Sequence, residues 1–169
     1  MAVIEKELIR ETVEQVPGHR IRLNMPVFVD PRIPIREFHA AVGIEEWISS
    51  RVFTDANPPP EVPYIYRLHS LHLGLSAEEA RDRFEAGEVG ITLFEASALY
   101  LYYPDFIRNC AVGTEETSLE FNKIKYHPRI SKHGSNGAKI DFVEANYKSP
   151  RYGILTRSQK IYLPASVRP

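Results

Sequence analysis

The chain has 169 residues, 43% of them hydrophobic and 25% charged, with a net charge of −1 at neutral pH. This is the make-up of one soluble globular domain with enough chain to bury a real core. It has no internal repeat and no low-complexity segment. The single cysteine, Cys110, excludes an intrachain disulfide. No apolar run opens the chain, so neither a signal peptide nor a membrane anchor is expected, and the cytoplasm is the expected compartment.

The small net charge hides an asymmetry. Residues 1–120 hold 11 Lys/Arg against 20 Asp/Glu (−9), and residues 121–169 hold 10 against 2 (+8). Segments of opposite sign either present an anion-binding surface or pair with each other, within one chain or between subunits.

In chain order, residues 3–16 are ambiguous. Ile9, Val13 and Val16 have helical spacing on a narrow face, and Pro17-Gly18 suits a turn. The start reads as helix–turn–strand or as a hairpin. Ile21, Leu23 and Met25 alternate with polar residues as a half-buried strand, which Val27-Phe28-Val29 extends. Phe38, Ala41 and Val42 have helical spacing. Ile44, Trp47, Ile48 and Arg51 suggest a second short helical face with Trp47 as a packing anchor. Asn57-Pro-Pro-Pro60 is a stiff connector and the best candidate for an internal boundary within a single domain spanning 1–169.

Tyr64–His72 alternates as a strand. Tyr64, Tyr66, Leu68, Ser70 and His72 share one face, with Ile65, Arg67, His69 and Leu71 on the other. Ser76 and Glu79 form a capping box that opens an amphipathic helix over about 76–87, stopped by Gly87. Its solvent side offers Glu79–Arg83 and Arg81–Glu85 pairs. A second capping box, Thr92 and Glu95, opens a helix over about 92–103 that is apolar nearly all round, the mark of a buried helix, and Pro104 closes it. After it the pattern turns to strands at 110–112, 121–130, 138–143 and 152–156. The class is therefore α+β, with a largely antiparallel sheet packed against the central helix.

The order of features is a Pro-Tyr-led strand, a linker helix, Ile91-Thr92-x-x-Glu95 opening a helix that ends at Tyr103-Pro104, then Asn109-Cys110, Gly113, a Lys139-Ile-x-Phe strand, Asn146, Tyr152 and Gly153. This order resembles, over roughly residues 20–157, an uncharacterised bacterial family known only as a domain of unknown function. That family carries a His and a Trp ahead of the glycine, where this chain has Ser149-Pro150-Arg151-Tyr152. The resemblance implies no activity and assigns no catalytic residue.

Four kinds of chemistry bear on these residues. His69 and His72 are three apart on a strand and face opposite sides, which is poor spacing for a metal. Asp105 with Glu120-x-x-Lys123, and Asp141-x-x-Glu144 with Lys148, are near a metal-dependent nuclease pattern but carry one residue too many. Cys110 lacks any nucleophile signature and reads as a small buried hydrophobe. The basic end interleaves Lys123, Lys125, Arg129, Lys132, Lys139, Lys148 and Arg151 with aromatics, which suits a partner or an anion, including single-stranded nucleic acid. Tyr100 and Tyr103 of the central helix, with His69 and His72, are the candidate pocket residues.

The expectation is a small cytoplasmic binding or assembly module with no chemistry, metal or cofactor of its own. It would self-associate or meet a protein partner through the basic C-terminal surface. The alternatives are a single-stranded nucleic-acid-binding protein and a metal-dependent nuclease or hydrolase.

Overall fold

The computed structural model describes residues 20–58 and 61–163; the segment 3–16 lies outside these. The fold is α+β. Its strands are β1 (Arg20–Arg22), β2 (Pro26–Val29), β3 (Ile44–Glu46), β4 (Thr54–Asp55), β5 (Tyr64–Leu73), β6 (Val89–Gly90), β7 (Ala111–Gly113), β8 (Thr117–Phe121), β9 (Ile124–His133), β10 (Gly137–Glu144), β11 (Tyr152–Arg157) and β12 (Ile161–Tyr162). The helices are α1 (Ile35–Val42), α2 (Ala77–Arg81), α3 (Leu93–Tyr102) and α4 (Pro104–Asn109). One path through the sheet runs β1-β5-β11-β7-β9-β10-β3. Pairing is antiparallel except at β3–β10 and β7–β11.

Helix α3 is the element the core is built on. Thr92 accepts from the Glu95 N–H, and the Glu95 carboxylate accepts from the Thr92 N–H at 2.9 Å, so both halves of the expected capping box form. Every residue from Leu93 to Tyr100 is buried. Around them pack Tyr64, Tyr66 and Leu68 of β5, Val27 and Val29 of β2, Ile130 of β9 and Ile140 of β10. Pro104 ends α3 as expected but also opens α4, because a proline at the first helical position loses no hydrogen bond. Helix α2 lies with a smaller cluster of Leu75, Ala77, Ala80, Val143, Tyr152 and Ile154.

Four sequence expectations are corrected. The amphipathic helix stops at Arg81 rather than near 87. The Glu85 N–H is given to the Glu88 carboxylate at 2.6 Å instead of to the carbonyl four residues back. The stretch from Ile44 is not an α-helix: Ile44–Glu46 is taken up in parallel register by the edge of β10, and only Ser50–Val52 coils, as a single 3-10 turn. Trp47 is 55% exposed and carries the Lys139 ammonium over its ring at 3.3 Å, so it is no core anchor. Residues 121–130 are not one strand. Asn122 and Lys123 adopt φ of 51° and 64°, a two-residue turn of the type that suits hairpin twist, and they fold β8 back onto β9.

The fourth concerns β5, whose simple alternation fails at one residue. Thr156 lies opposite Ser70 and Arg157 opposite Leu68, so His69 is the extra residue of a β-bulge. The bulge inverts the phase of the strand. Tyr64, Tyr66 and Leu68 before it, and Leu71 and Leu73 after it, all reach the same core.

Leu99 is fully buried at the middle of α3. Leu99→Ala is expected to cost ~2–5 kcal/mol as a core truncation. Urea unfolding of parent and variant measures it directly.

Candidate interaction face

The cations named from the sequence do not form one surface. Arg129 is held by Asp141 through two hydrogen bonds of 2.7 and 2.6 Å and lies over the Tyr147 ring. Lys139 shares Asp141 at 3.3 Å, and Lys148 pairs with Glu79 at 2.9 Å. Lys125 lies opposite Glu120 in the β8–β9 ladder. Lys123 stands at the hairpin tip rather than on a strand face with Lys125. Lys132 and Arg151 are exposed at other places in the fold. Arg157 and Lys160, further along, are inside it, at 3.0 and 3.3 Å from the buried carboxylate of Glu95.

The candidate pocket residues also divide. The Tyr100 hydroxyl donates to the Asn136 carbonyl and the Tyr103 hydroxyl to the Pro26 carbonyl. The histidines meet elsewhere. Because of the bulge, His69 and His72 do not point apart: their ring nitrogens lie 2.9 and 3.6 Å from one oxygen of Glu88. Burial pushes the Glu88 carboxyl up, but hydrogen bonds from Ser70, the Glu85 N–H, Thr156 and His69 outweigh it and hold the group down at about 2. Arg20 also donates to Glu88 at 3.0 Å and to Ser70 at 2.9 Å, tying β1 to this cluster. The cluster is a sheet-internal ionic tie with its acceptor saturated. Among the described residues no group of three or more His, Cys, Asp or Glu side chains is gathered as a metal site. Asp105 pairs with Arg108 within α4, remote in role from Glu120 on β8.

A second buried histidine constellation was not foreseen. His39 of α1 places Nδ1 2.6 Å from Glu46 and Nε2 2.8 Å from the Ser97 hydroxyl. This is the order of an acid–base–nucleophile triad. Ser97, however, is completely buried within α3 and lies 2.8 Å from the Leu93 carbonyl, its natural acceptor. The trio is therefore a lock between α1, β3 and α3. Only the fold brings residues 39, 46 and 97 together, and no local motif announces them.

What the structure does leave open is one face of β8, β9 and β10. Cross-strand partners share a face, and alternate residues of a strand return to it. The register pairs Phe121 with Ile124, Leu119 with Tyr126, Tyr126 with Glu144 and Pro128 with Phe142. These residues continue the face that carries Ile130 and Ile140, which α3 and α4 cover. Beyond the helices no other described residue covers the face. Phe121 is 62% exposed, Phe142 44% and Ile124 42%, with Leu119 and Tyr126 half-buried. The Tyr126 and Phe142 rings meet edge to face at 5.2 Å. A groove of about 510 Å³ lies beside them where the chain leaves β10, lined by Tyr126, Phe142 and Glu144 and also by Arg129, Val143 and Tyr147. Sequence periodicity missed this face because the hairpin turn was read through as strand.

No family model matches the chain, and neither a curated protein nor a solved structure matches it.

Burial lowers the pKa of His39, His72 and His127 below the ordinary 6.5. It outweighs the Glu46 contact of the first, the Glu88 charge near the second, and the Thr117 and Thr114 carbonyls that accept from the third. The unfolded chain therefore takes up protons that the fold refuses. Stability is full above pH 6.5 and is lost as pH falls from there toward the folded values, with a slope up to about 1.4 kcal/mol per pH unit for each histidine involved. Denaturant titrations from pH 8 to about 5 are expected to show the loss. His127→Gln is expected to reduce the slope by that histidine's share, leaving the contributions of His39 and His72.

Proposed function

We propose that this protein is a cytoplasmic assembly module that joins a protein partner through the bare face of β8–β10. The observation that carries the reading is three large apolar side chains, Phe121, Ile124 and Phe142, exposed together on one face where the covering helices stop. Contiguous exposed apolar surface marks contact sites, and aromatic side chains are enriched in them. Fully burying an exposed Phe or Ile contributes about 1.5–3 kcal/mol; these three, 42–62% exposed, supply about half of that each, still a substantial part of a binding free energy.

The geometry favours a protein over a nucleic acid. Stacking on bases needs aromatics and cations on the same face. Here the aromatics share their face with Glu144, Lys125 lies on the opposite face, and Arg129, which borders the groove, is neutralised by Asp141. The acidic and basic segments also meet, Arg157 and Lys160 on Glu95 in the interior and Lys148 on Glu79 at the surface. That removes much of the field that would recruit a polyanion.

The test is Phe121→Asp and Phe142→Asp. If the face serves contact rather than folding, both variants keep the parent's thermal midpoint to within the ~0.5 kcal/mol usual for surface changes. Both also lose binding of an environment-sensitive apolar dye. A fall in stability on the scale of a core truncation, or unchanged dye binding, would overturn the reading.

A further inference from the structure

Three features of the bare face fit one another rather than some other surface. The hairpin tip projects Phe121, its most exposed apolar side chain, with Lys123 beside it. Beside Phe142, where the chain leaves β10, lies the groove, lined also by Arg129 and Val143, with Glu144 on its rim. Neither Lys123 nor Glu144 has an ion pair among the described residues. The patch thus carries a knob and a cavity, and a cation and an anion, at its two ends.

We infer that the partner is a second copy of this chain, packed face to face about a two-fold axis that crosses the strands between Ile124 and Glu144. The inference rests on the proposed assembly role of this face. A rotation about such an axis exchanges the two ends of the patch. Each hairpin tip comes to lie over the other copy's groove, so Phe121 enters beside Phe142 and Lys123 meets Glu144, twice by symmetry. An isologous contact needs this self-complementarity, and it closes at two subunits. Lys123 and Glu144 sit at the exposed margin of the contact, where charges set register and partner choice more than affinity. Tyr126 and Ile124 lie at the centre, where apolar and aromatic side chains dominate.

The experiment is sedimentation equilibrium on the parent, Phe121→Asp, Lys123→Glu, Glu144→Lys and an equimolar mixture of the last two, with thermal midpoints as a folding control. All substituted positions are exposed, so every variant is expected to fold. The parent is expected to be a monomer–dimer system and Phe121→Asp a monomer. Each charge reversal alone sets like charges together at both symmetric positions and is expected to raise the dimer Kd about tenfold or more. Mixing the two reversed chains puts opposite charges back at both positions. It is therefore expected to restore dimerisation as a mixed dimer, which a mass tag on one chain identifies.

A parent that stays monomeric at all concentrations would overturn the two-fold contact while leaving a different protein partner for the face. Growth beyond the dimer would do the same, because it signals a head-to-tail contact. A dimer untouched by Phe121→Asp lies on another surface and overturns the two-fold contact, again leaving a different protein partner for the face. Charge reversals that weaken the dimer but do not rescue each other would reject the Lys123–Glu144 pairing and the axis with it.

Discussion

The carboxylate of Glu95 is the constraint on which the rest of the structure depends. It sits with no exposure in the first turn of the central helix. A buried carboxylate is costly unless its charge is balanced and its lone pairs are filled. Here five contacts do so: the Thr92 N–H at 2.9 Å, the Tyr64 hydroxyl at 3.0 Å, the Arg157 guanidinium nitrogen at 3.0 Å from one oxygen and 3.1 Å from the other, and the Lys160 ammonium at 3.3 Å. The Tyr66 hydroxyl adds a bond to the backbone carbonyl of the same residue. Burial and the adjoining carboxylate raise the pKa of both tyrosines, so they remain neutral donors. The helix start, the first half of β5 and the C-terminal end of the described chain are thus fixed to one another through a single side chain.

The same interaction explains the charge asymmetry of the sequence. Its two halves are complementary in sign because parts of them meet in the interior and at the surface. Arg157 and Lys160 neutralise Glu95, Lys148 reaches Glu79, and Arg129 is absorbed by a carboxylate from its own region. At the N-terminal side Arg20 is drawn to Glu85 and Glu88 within the acidic half. Asp55 lies near this centre, and burial raises its pKa, with the Thr117 hydroxyl as the opposing influence. A cation count along the chain therefore overstates the positive surface. Long-range attraction to a polyanion depends on net exposed charge, and the fold spends much of that charge internally.

The parts of the fold that were legible from the sequence are those decided by local chemistry. Thr92 and Glu95, and Ser76 and Glu79, sit within one turn of each other, so both capping boxes could be read directly. The apolar girth of α3 announced its burial. What was not legible depends on partners distant in sequence. His69 is a bulge only because β11 offers one residue where β5 has two, and this alone brings His69 and His72 to the same carboxylate. The β3 segment has a helix-like apolar spacing, yet the open edge of β10 claims its backbone. Asn122-Lys123 lacks the glycine that normally flags a two-residue hairpin. Reading through it merged β8 with β9 and hid the alignment of Phe121, Ile124 and Tyr126.

That alignment follows from a mismatch of lengths. A helix rises 1.5 Å per residue and a strand about 3.3 Å, so α3 and α4, with ten and six residues, cannot cover the ten residues of β9 and the eight of β10. The helices are anchored at the Ile130–Ile140 end by the core and by the Glu95 centre, so the shortfall falls entirely at the hairpin end. A chain indifferent to that end would place polar side chains there, as the opposite face does with Glu120 and Lys125. Instead the sheet face stays apolar for two more residue pairs past the last helical contact, with Tyr126 and Phe142 already packed against each other. The face is built to the same pattern as the core it continues, and among the described residues no further layer covers it.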